Sequence, residues 1–188
     1  MEALELYRRT GAYLEGHFRL SSGLHSPGYL QSALVLQHPS DAAALGAGLA
    51  EKVRMLAPTV VLSPALGGLI IGHEVARALG VRAIFAERAG GAELTLRRGF
   101  ALSPGDRVLV VEDVFTTGKS TRETMDVARA AGATVVGAAA IVDRSGGAID
   151  FGVPSHALVQ LSVPTYAPDQ CPLCVQGIAV QKPGSRPT

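Results

Sequence analysis

The stretch Arg107-Val-Leu-Val-Val-Glu112-Asp113-Val-Phe-Thr116-Thr117-Gly118-Lys119-Ser120-Thr121 decides how the rest of the chain is read. An apolar run ends in two adjacent carboxylates, and a Thr/Gly/Ser loop then opens a helical stretch. In open α/β sheets ligands bind where strands end, and a helix N-terminus offers an anion N–H groups that lack intrahelical partners. The hydroxyls of Thr116, Thr117, Ser120 and Thr121 surround that point, so the loop suits one phosphate monoester. Glu112 and Asp113 can accept hydrogen bonds from a vicinal diol or help to place a metal ion. A 5-phosphoribosyl group carries both features at the matching separation. A plainer reading is a strand end before a capped helix, with acids that favour the helix dipole. It accounts for either half alone, not for the two together. Gly118-Lys119-Ser120 also ends like a Walker A loop, but the glycine required five positions earlier is Asp113 here.

Outward from this stretch the chain repeats one theme. Short apolar runs at Thr59–Leu62, Arg82–Phe85, Arg107–Val111, Thr134–Val142 and Ala157–Leu161 read as strands. Helical stretches at Gly68–Leu79 and Lys119–Ala131 lie between several of them, each followed closely by a glycine, Gly80 or Gly132. Continuous apolar strands alternating with helices predict an α/β fold, a mostly parallel central sheet flanked by helices. Residues 87–105 interrupt the alternation with Gly90-Gly91, Arg97-Arg98-Gly99 and Pro104-Gly105, and read as a mobile excursion or hairpin. Upstream, Glu2 to Glu15 reads as a short amphipathic helix and His17 to Gln31 as short strands and turns. Pro39-Ser40-Asp41 offers an N-cap for an alanine-rich helix reaching about Leu56. One domain is expected over 1–188, with an N-terminal hood to about residue 38, a core over about 39–165 and a tail over 166–188.

Composition removes several classes. The 188 residues carry a formal net charge of +1, and no basic run suits a nucleic-acid backbone. No apolar stretch approaches the roughly 20 residues of a membrane span, and Glu2 and Glu5 replace a signal pattern, so a cytoplasmic address is expected. Asparagine is absent and lysine occurs only at 52, 119 and 182, which fits a heat-adapted source or simply genome base composition. Cys171 and Cys174 sit as Cys-Pro-Leu-Cys. Two thiols cannot fill a tetrahedral zinc site, so a metal there needs ligands from elsewhere or a second subunit; the simpler reading is two free thiols in a turn.

The acidic stretch resembles the signature of type I phosphoribosyltransferases, and the remaining motifs resemble the orotate phosphoribosyltransferase family within them. Gly16-His-Phe-Arg-Leu-Ser-Ser-Gly-Leu-His-Ser-Pro-Gly-Tyr29 is similar to that family's hood, and Ser63-Pro-Ala-Leu-Gly67-Gly68 to its pyrophosphate loop. Glu87-Arg88 and Leu96-Arg97-Arg98-Gly99-Phe100 resemble its flexible loop, Ile141-Val-Asp143-Arg144 its base-binding strand end, and Cys-Pro-Leu-Cys with Lys-Pro-Gly-Ser-Arg186 the tail of one subgroup. The resemblance spans nearly the whole chain.

The resemblance implies that phosphoribosyl pyrophosphate (PRPP) binds at Ala65, Leu66, Gly67, Gly68, Arg88, Glu112, Asp113, Thr116, Thr117, Gly118, Lys119, Ser120 and Thr121. Orotate would meet Ser22, Gly23, His25, Thr117 and Arg144, whose planar guanidinium can grip a carboxylated pyrimidine. Arg88, Arg97, Arg98 and Asp113 are the expected catalytic residues. Mg²⁺ is the expected cofactor, held mainly by substrate with Glu112 and Asp113. A homodimer whose lid, residues 87–105, reaches the neighbouring site is also implied. One departure stands out. Where the family commonly has lysines in the loop, no lysine lies between Lys52 and Lys119, so the arginines must supply the charge. Rival readings are a purine or uracil phosphoribosyltransferase, which would not need Arg144, and a PRPP-sensing regulator, which would need a nucleic-acid surface.

Overall fold

The computed structural model describes residues 3–20, 22–88, 90 and 93–183. The first helix, α1 (Ala3–Arg9), is shorter than the amphipathic pattern predicts. The chain leaves it through Gly11, whose φ of 67° is left-handed, and enters strand β1 (Tyr13–Arg19). Leu14 and Glu15 therefore belong to a strand. β1 pairs antiparallel with β2 (His25–Leu30), with Arg19 opposite His25 and Phe18 opposite Ser26. Helix α2 (Ser32–Leu36) follows, then α3 (Pro39–Val53), which a 3₁₀ turn at Arg54–Leu56 extends. Pro39 occupies the first turn of α3 and His38 is the N-cap, so Ser40 and Asp41 fall inside the helix rather than capping it.

The alternating part runs β3 (Val60–Pro64), α4 (Gly68–Leu79), β4 (Arg82–Arg88), β5 (Leu94–Leu96), β6 (Arg107–Phe115), α5 (Lys119–Ala130), β7 (Thr134–Asp143) and β8 (Ser155–Gln160). The sheet order is β5-β4-β3-β6-β7-β8, parallel throughout except for β5. All five residues of β3 are buried, as are Val108 to Glu112 of β6, so these central strands are covered on both faces. Residues 87–105 do form a hairpin arm: Glu87 pairs with Thr95 and Arg88 with Leu94. Ala89, Gly91 and Ala92 lie outside the described residues.

Two compact units result, Leu36–Leu161 and, separately, Met1–Val35 with Ser162–Thr188. The tail thus belongs with the hood. It contains a 3₁₀ turn at Pro168–Gln170 and a single helical turn, α6 (Pro172–Val175). Tail backbone pairs with the hood hairpin at two places, Gln181 beside Phe18 and Tyr166 beside His25. Gly184, Ser185 and Arg186 lie outside the described residues.

Candidate active site

Because β3, β4, β6 and β7 are parallel, their C-terminal ends share one edge of the sheet. The chain passes from β3 to β4 on one side and returns to β6 on the other. The topological switch therefore falls between β3 and β6, where a crevice opens in sheets of this type. Both predicted substrate loops arise at this switch: residues 65–67 follow β3, and residues 116–118 follow β6.

Glycine lets these two loops approach each other. A Cβ on Gly67 would lie 2.9 Å from Asp113 Oδ1, and one on Gly68 would lie 2.8 Å from the Val111 carbonyl oxygen. A Cβ on Gly72, one turn into α4, would collide with Ser63 Oγ. The Ala65–Leu66 peptide is cis, Ala65 N–H donates to the Ala86 carbonyl at 2.8 Å, and the Leu66 side chain is exposed. At its Gly67–Gly68 end this loop carries no side chain between its backbone and β6.

On the other loop, Gly118 begins α5 with φ 74°, and a Cβ there would meet Phe151 Cε1 at 2.9 Å. Gly118 offers no side-chain cap, and the Lys119 N–H makes only a long 3.4 Å contact with Thr117 Oγ1, so the first N–H groups keep most of their capacity for an anion. Thr116, Thr117 and Lys119 are exposed around it. Ser120 Oγ donates to Glu112 Oε2 at 2.8 Å, tying the phosphate loop to the acidic pair. Thr121 is only 1 % exposed, and its hydroxyl has no hydrogen-bond partner among the described residues.

Glu112 is buried and Asp113 half-buried. Burial, and then the adjacent Asp113 charge, push the Glu112 carboxyl up to about 8. Val114 N–H donates to Asp113 Oδ1 at 2.9 Å, which fixes that carboxylate against its own strand. An acid pair that resists full ionisation favours a partner bringing donors or positive charge, as a ribose diol or a cation does.

Arg144 follows β7. Its N–H donates to the Phe115 carbonyl at 2.9 Å. Asp143, buried beside it, accepts hydrogen bonds from Ser145 N–H at 2.7 Å, Ser145 Oγ at 2.6 Å and Gly147 N–H at 3.0 Å. Asp143 therefore shapes the turn that carries Arg144, a role the sequence reading did not assign to it. The pairing of an aspartate with a serine two residues on was the available signal.

The three loop arginines are ion-paired. Arg88 meets Glu123 of α5 at 2.6 Å. Arg98, in left-handed backbone at φ 58°, makes a two-pronged contact with Glu87 at 2.9 and 3.0 Å, and Arg97 lies 3.9 Å from the same carboxylate. The Arg98 hydrogen bond holds the Glu87 carboxyl below its usual range.

In the hood, Gly23 has φ 85° and its N–H donates to the Leu20 carbonyl, while Ser22 Oγ accepts weakly from Leu24 N–H at 3.4 Å. His25 is drawn into the hood's own packing. It is 7 % exposed, and its Nδ1 faces His17 Nε2 at 2.8 Å, so that edge of the ring is turned into the hood.

Residues 35–150 match the phosphoribosyl transferase domain family. Full-length relatives share the hood and tail as well. The orotate phosphoribosyltransferase of Pelotomaculum thermopropionicum is 55% identical over 185 residues, 98% of this chain and 97% of that protein. That of Thermus thermophilus is 51% identical over 182 residues, covering 97% and 100%. The chain belongs to the orotate phosphoribosyltransferase family. Among solved structures, the orotate phosphoribosyltransferase of Aeropyrum pernix aligns with a TM-score of 0.71 at 29% identity, over 86% of this chain and 94% of its own. The Mycobacterium tuberculosis enzyme in complex with inorganic phosphate gives 0.69 at 28%, over 85% and 94%. An adenine phosphoribosyltransferase from Thermoanaerobacter pseudethanolicus, at 18% identity and a TM-score of 0.62, shares the fold alone. Among the described residues no helix is long and apolar enough to cross a membrane.

Proposed function

We propose that the chain transfers the 5-phosphoribosyl group of PRPP to orotate, giving orotidine 5′-monophosphate and pyrophosphate on the de novo route to UMP. The observation that carries this reading is the Glu112–Asp113 pair at the end of β6. It sits directly before the uncapped start of α5 and within van der Waals reach of the glycine loop after β3.

The N–H groups at the start of α5, with Thr116, Thr117, Ser120 and Thr121, take the 5-phosphate, and Lys119 adds charge. Glu112 and Asp113 accept the ribose hydroxyls. The backbone of Ala65, Leu66, Gly67 and Gly68 lies along pyrophosphate. Arg144 pairs with the orotate carboxylate, and Ser22 and Gly23 contribute to base binding in this reading. The bond from the anomeric carbon to pyrophosphate oxygen breaks as the bond from the orotate ring nitrogen forms. Its electron pair leaves with pyrophosphate, and the ring N–H proton is released. Positive charge develops on the ribose, so positioning and charge neutralisation supply most of the rate.

Hard carboxylate oxygens at Glu112 and Asp113 suit Mg²⁺, which, bound with PRPP, would offset the charge of the leaving pyrophosphate. The β4–β5 arm acts as the lid in this reading, its arginines exchanging Glu87 and Glu123 for pyrophosphate oxygens, and a homodimer places that lid near a neighbouring site. Cys171 and Cys174 are not joined in a disulfide, which suits a cytoplasmic setting.

The test is direct. Purified protein with PRPP, magnesium and orotate should lower the ultraviolet absorbance of orotate and release one pyrophosphate per orotate consumed. Turnover of uracil or a purine base in place of orotate would overturn the substrate assignment.

A further inference from the structure

Four potential metal-binding side chains converge in the hood–tail unit. His17, His25, Cys171 and Cys174 bring their donor atoms within 4.8 Å of one another. His17 Nε2 lies 2.8 Å from His25 Nδ1, 3.5 Å from Cys171 Sγ and 3.7 Å from Cys174 Sγ, and Cys174 Sγ lies 3.3 Å from His25 Nδ1. With Zn–N near 2.0 Å and Zn–S near 2.3 Å, the edges of a tetrahedral N₂S₂ site run roughly 3.3–3.8 Å. Three of the four distances fall in that range, and the fourth needs the two imidazoles to part by about 0.5 Å on this geometry. We propose that these four side chains form a closed structural site for one zinc ion, which clamps the tail onto the hood hairpin.

The local structure is built for this. Alternation along β1 would send His17 and Phe18 to opposite faces, yet both are buried, because the register shifts between Glu15 and Phe18. Such a bulge re-aims a side chain. On the tail, Cys171 precedes α6 and Cys174 lies within it, and Cys174 N–H donates to the Cys171 carbonyl at 3.1 Å, so one helical turn brings both sulfurs to the same side.

The second ring nitrogen of His17 settles its tautomer. Nδ1 lies 2.7 Å from the Ile178 carbonyl, which can only accept, so Nδ1 carries the hydrogen and Nε2 presents a lone pair to the cluster. His17 and Cys171 are each 1 % exposed. Two thiolates in such a place need a compensating charge, and a divalent cation makes the site neutral. Thiolate and imidazole together select zinc over magnesium. Four protein ligands leave no open position, so the ion would be structural and not catalytic. The cysteines' missing partners, which the sequence left open, are thus the two hood histidines.

His25 begins β2 two residues after Gly23, so the ion would also anchor the turn carrying Ser22 and Gly23. This last consequence, a looser hood without metal, rests on the orotate reading; the metal site itself does not.

The experiment measures metal first and activity second. Protein produced with zinc in the medium should hold about one zinc per chain by elemental analysis. After removal by a chelator, Co²⁺ should restore one equivalent, with the visible absorption of tetrahedral cobalt and a thiolate charge-transfer band. Cys174→Ser, at the exposed rim, should weaken zinc binding at least 100-fold and abolish the charge-transfer intensity of one thiolate. His25→Gln tests the hood side independently, and Asp113→Asn should leave zinc content unchanged. Full-length protein that is metal-free as purified and takes up neither ion at micromolar concentration overturns the proposal, as does unaltered zinc affinity in both ligand variants. In steady-state assays the apo protein should show a raised KM for orotate with KM for PRPP little changed. A metal site present in a protein inactive toward orotate would refute the substrate reading and leave the zinc inference standing.

Discussion

The C-terminal edge of the sheet and the His/Cys cluster of the hood both gather polar groups, and they do so in opposite ways. In the cluster every donor atom faces another donor atom, and a carbonyl holds the outer nitrogen of His17. At the sheet edge the groups stop short of satisfying one another. The start of α5 has no side-chain cap, the Thr121 hydroxyl has no partner among the described residues, and two carboxylates sit side by side. The first arrangement is complete with one small ion and resists change. The second is left incomplete by its own residues, which is what a site that binds and releases a large substrate requires.

That contrast can be broken by substitution. The largest effect should come from Asp113→Asn, which keeps shape and removes charge at the open edge. Activity should fall on the order of 10³-fold in kcat/KM for PRPP, with the thermal unfolding midpoint nearly unchanged. A collapse of stability instead would make the pair structural and erase the distinction. Next, Arg144→Ala should lower kcat/KM for orotate by about 10²-fold, equivalent to about 3 kcal/mol, while PRPP affinity measured by calorimetry stays within a few-fold. Equal losses for both substrates would remove Arg144 from base recognition. Among the loop cations, Arg88→Ala should mainly raise KM for PRPP, while Arg97→Ala or Arg98→Ala should lower kcat by about 10-fold. If both Arg97 and Arg98 prove dispensable in kcat, the arginines do not stand in for the absent lysine.

The smallest change is expected in stability. The Glu112 carboxyl is raised in the folded state, so the native protein holds a proton there that the unfolded chain releases. Stability from this group is therefore present below its unfolded value near 4.5 and lost as pH climbs toward about 8. Glu112→Gln escapes that loss. It should be more stable than the parent at pH 8 by on the order of 1–3 kcal/mol, some 2–4 °C in Tm for each kcal/mol, with the gap closing toward pH 5. A gap independent of pH would show that the acid is not destabilised by its burial.

Much of the core was legible because its signals are local. The Gly68–Leu79 helix was predicted with the bounds observed, and Gly80 adopts the left-handed conformation that ends it. The acidic pair and phosphate loop were readable as one motif because they are contiguous in sequence. The misses arose where contacts are remote. Nothing near Leu14 announces a strand, since β1 exists only by pairing with β2. Likewise His17 and Cys171 are 154 positions apart, and neither sequence neighbourhood hints at the other. The backbone pairing of His25 with Tyr166 is equally remote, and no local pattern encodes it.

The tail's pairing with the hood also bears on how the molecule is made. Gln181 N–H donates to the His17 carbonyl at 2.7 Å, and Arg19 N–H to the Gln181 carbonyl at 2.8 Å. In the chain Gln181 follows all of Leu36–Leu161. The α/β unit can therefore close on itself without Gln181, while the β1–β2 ribbon, marginal as an isolated pair of strands, must wait for its other half. Loop closure over such a span is slow compared with the local pairings of the core. An early segment of the chain is thus completed by a late one.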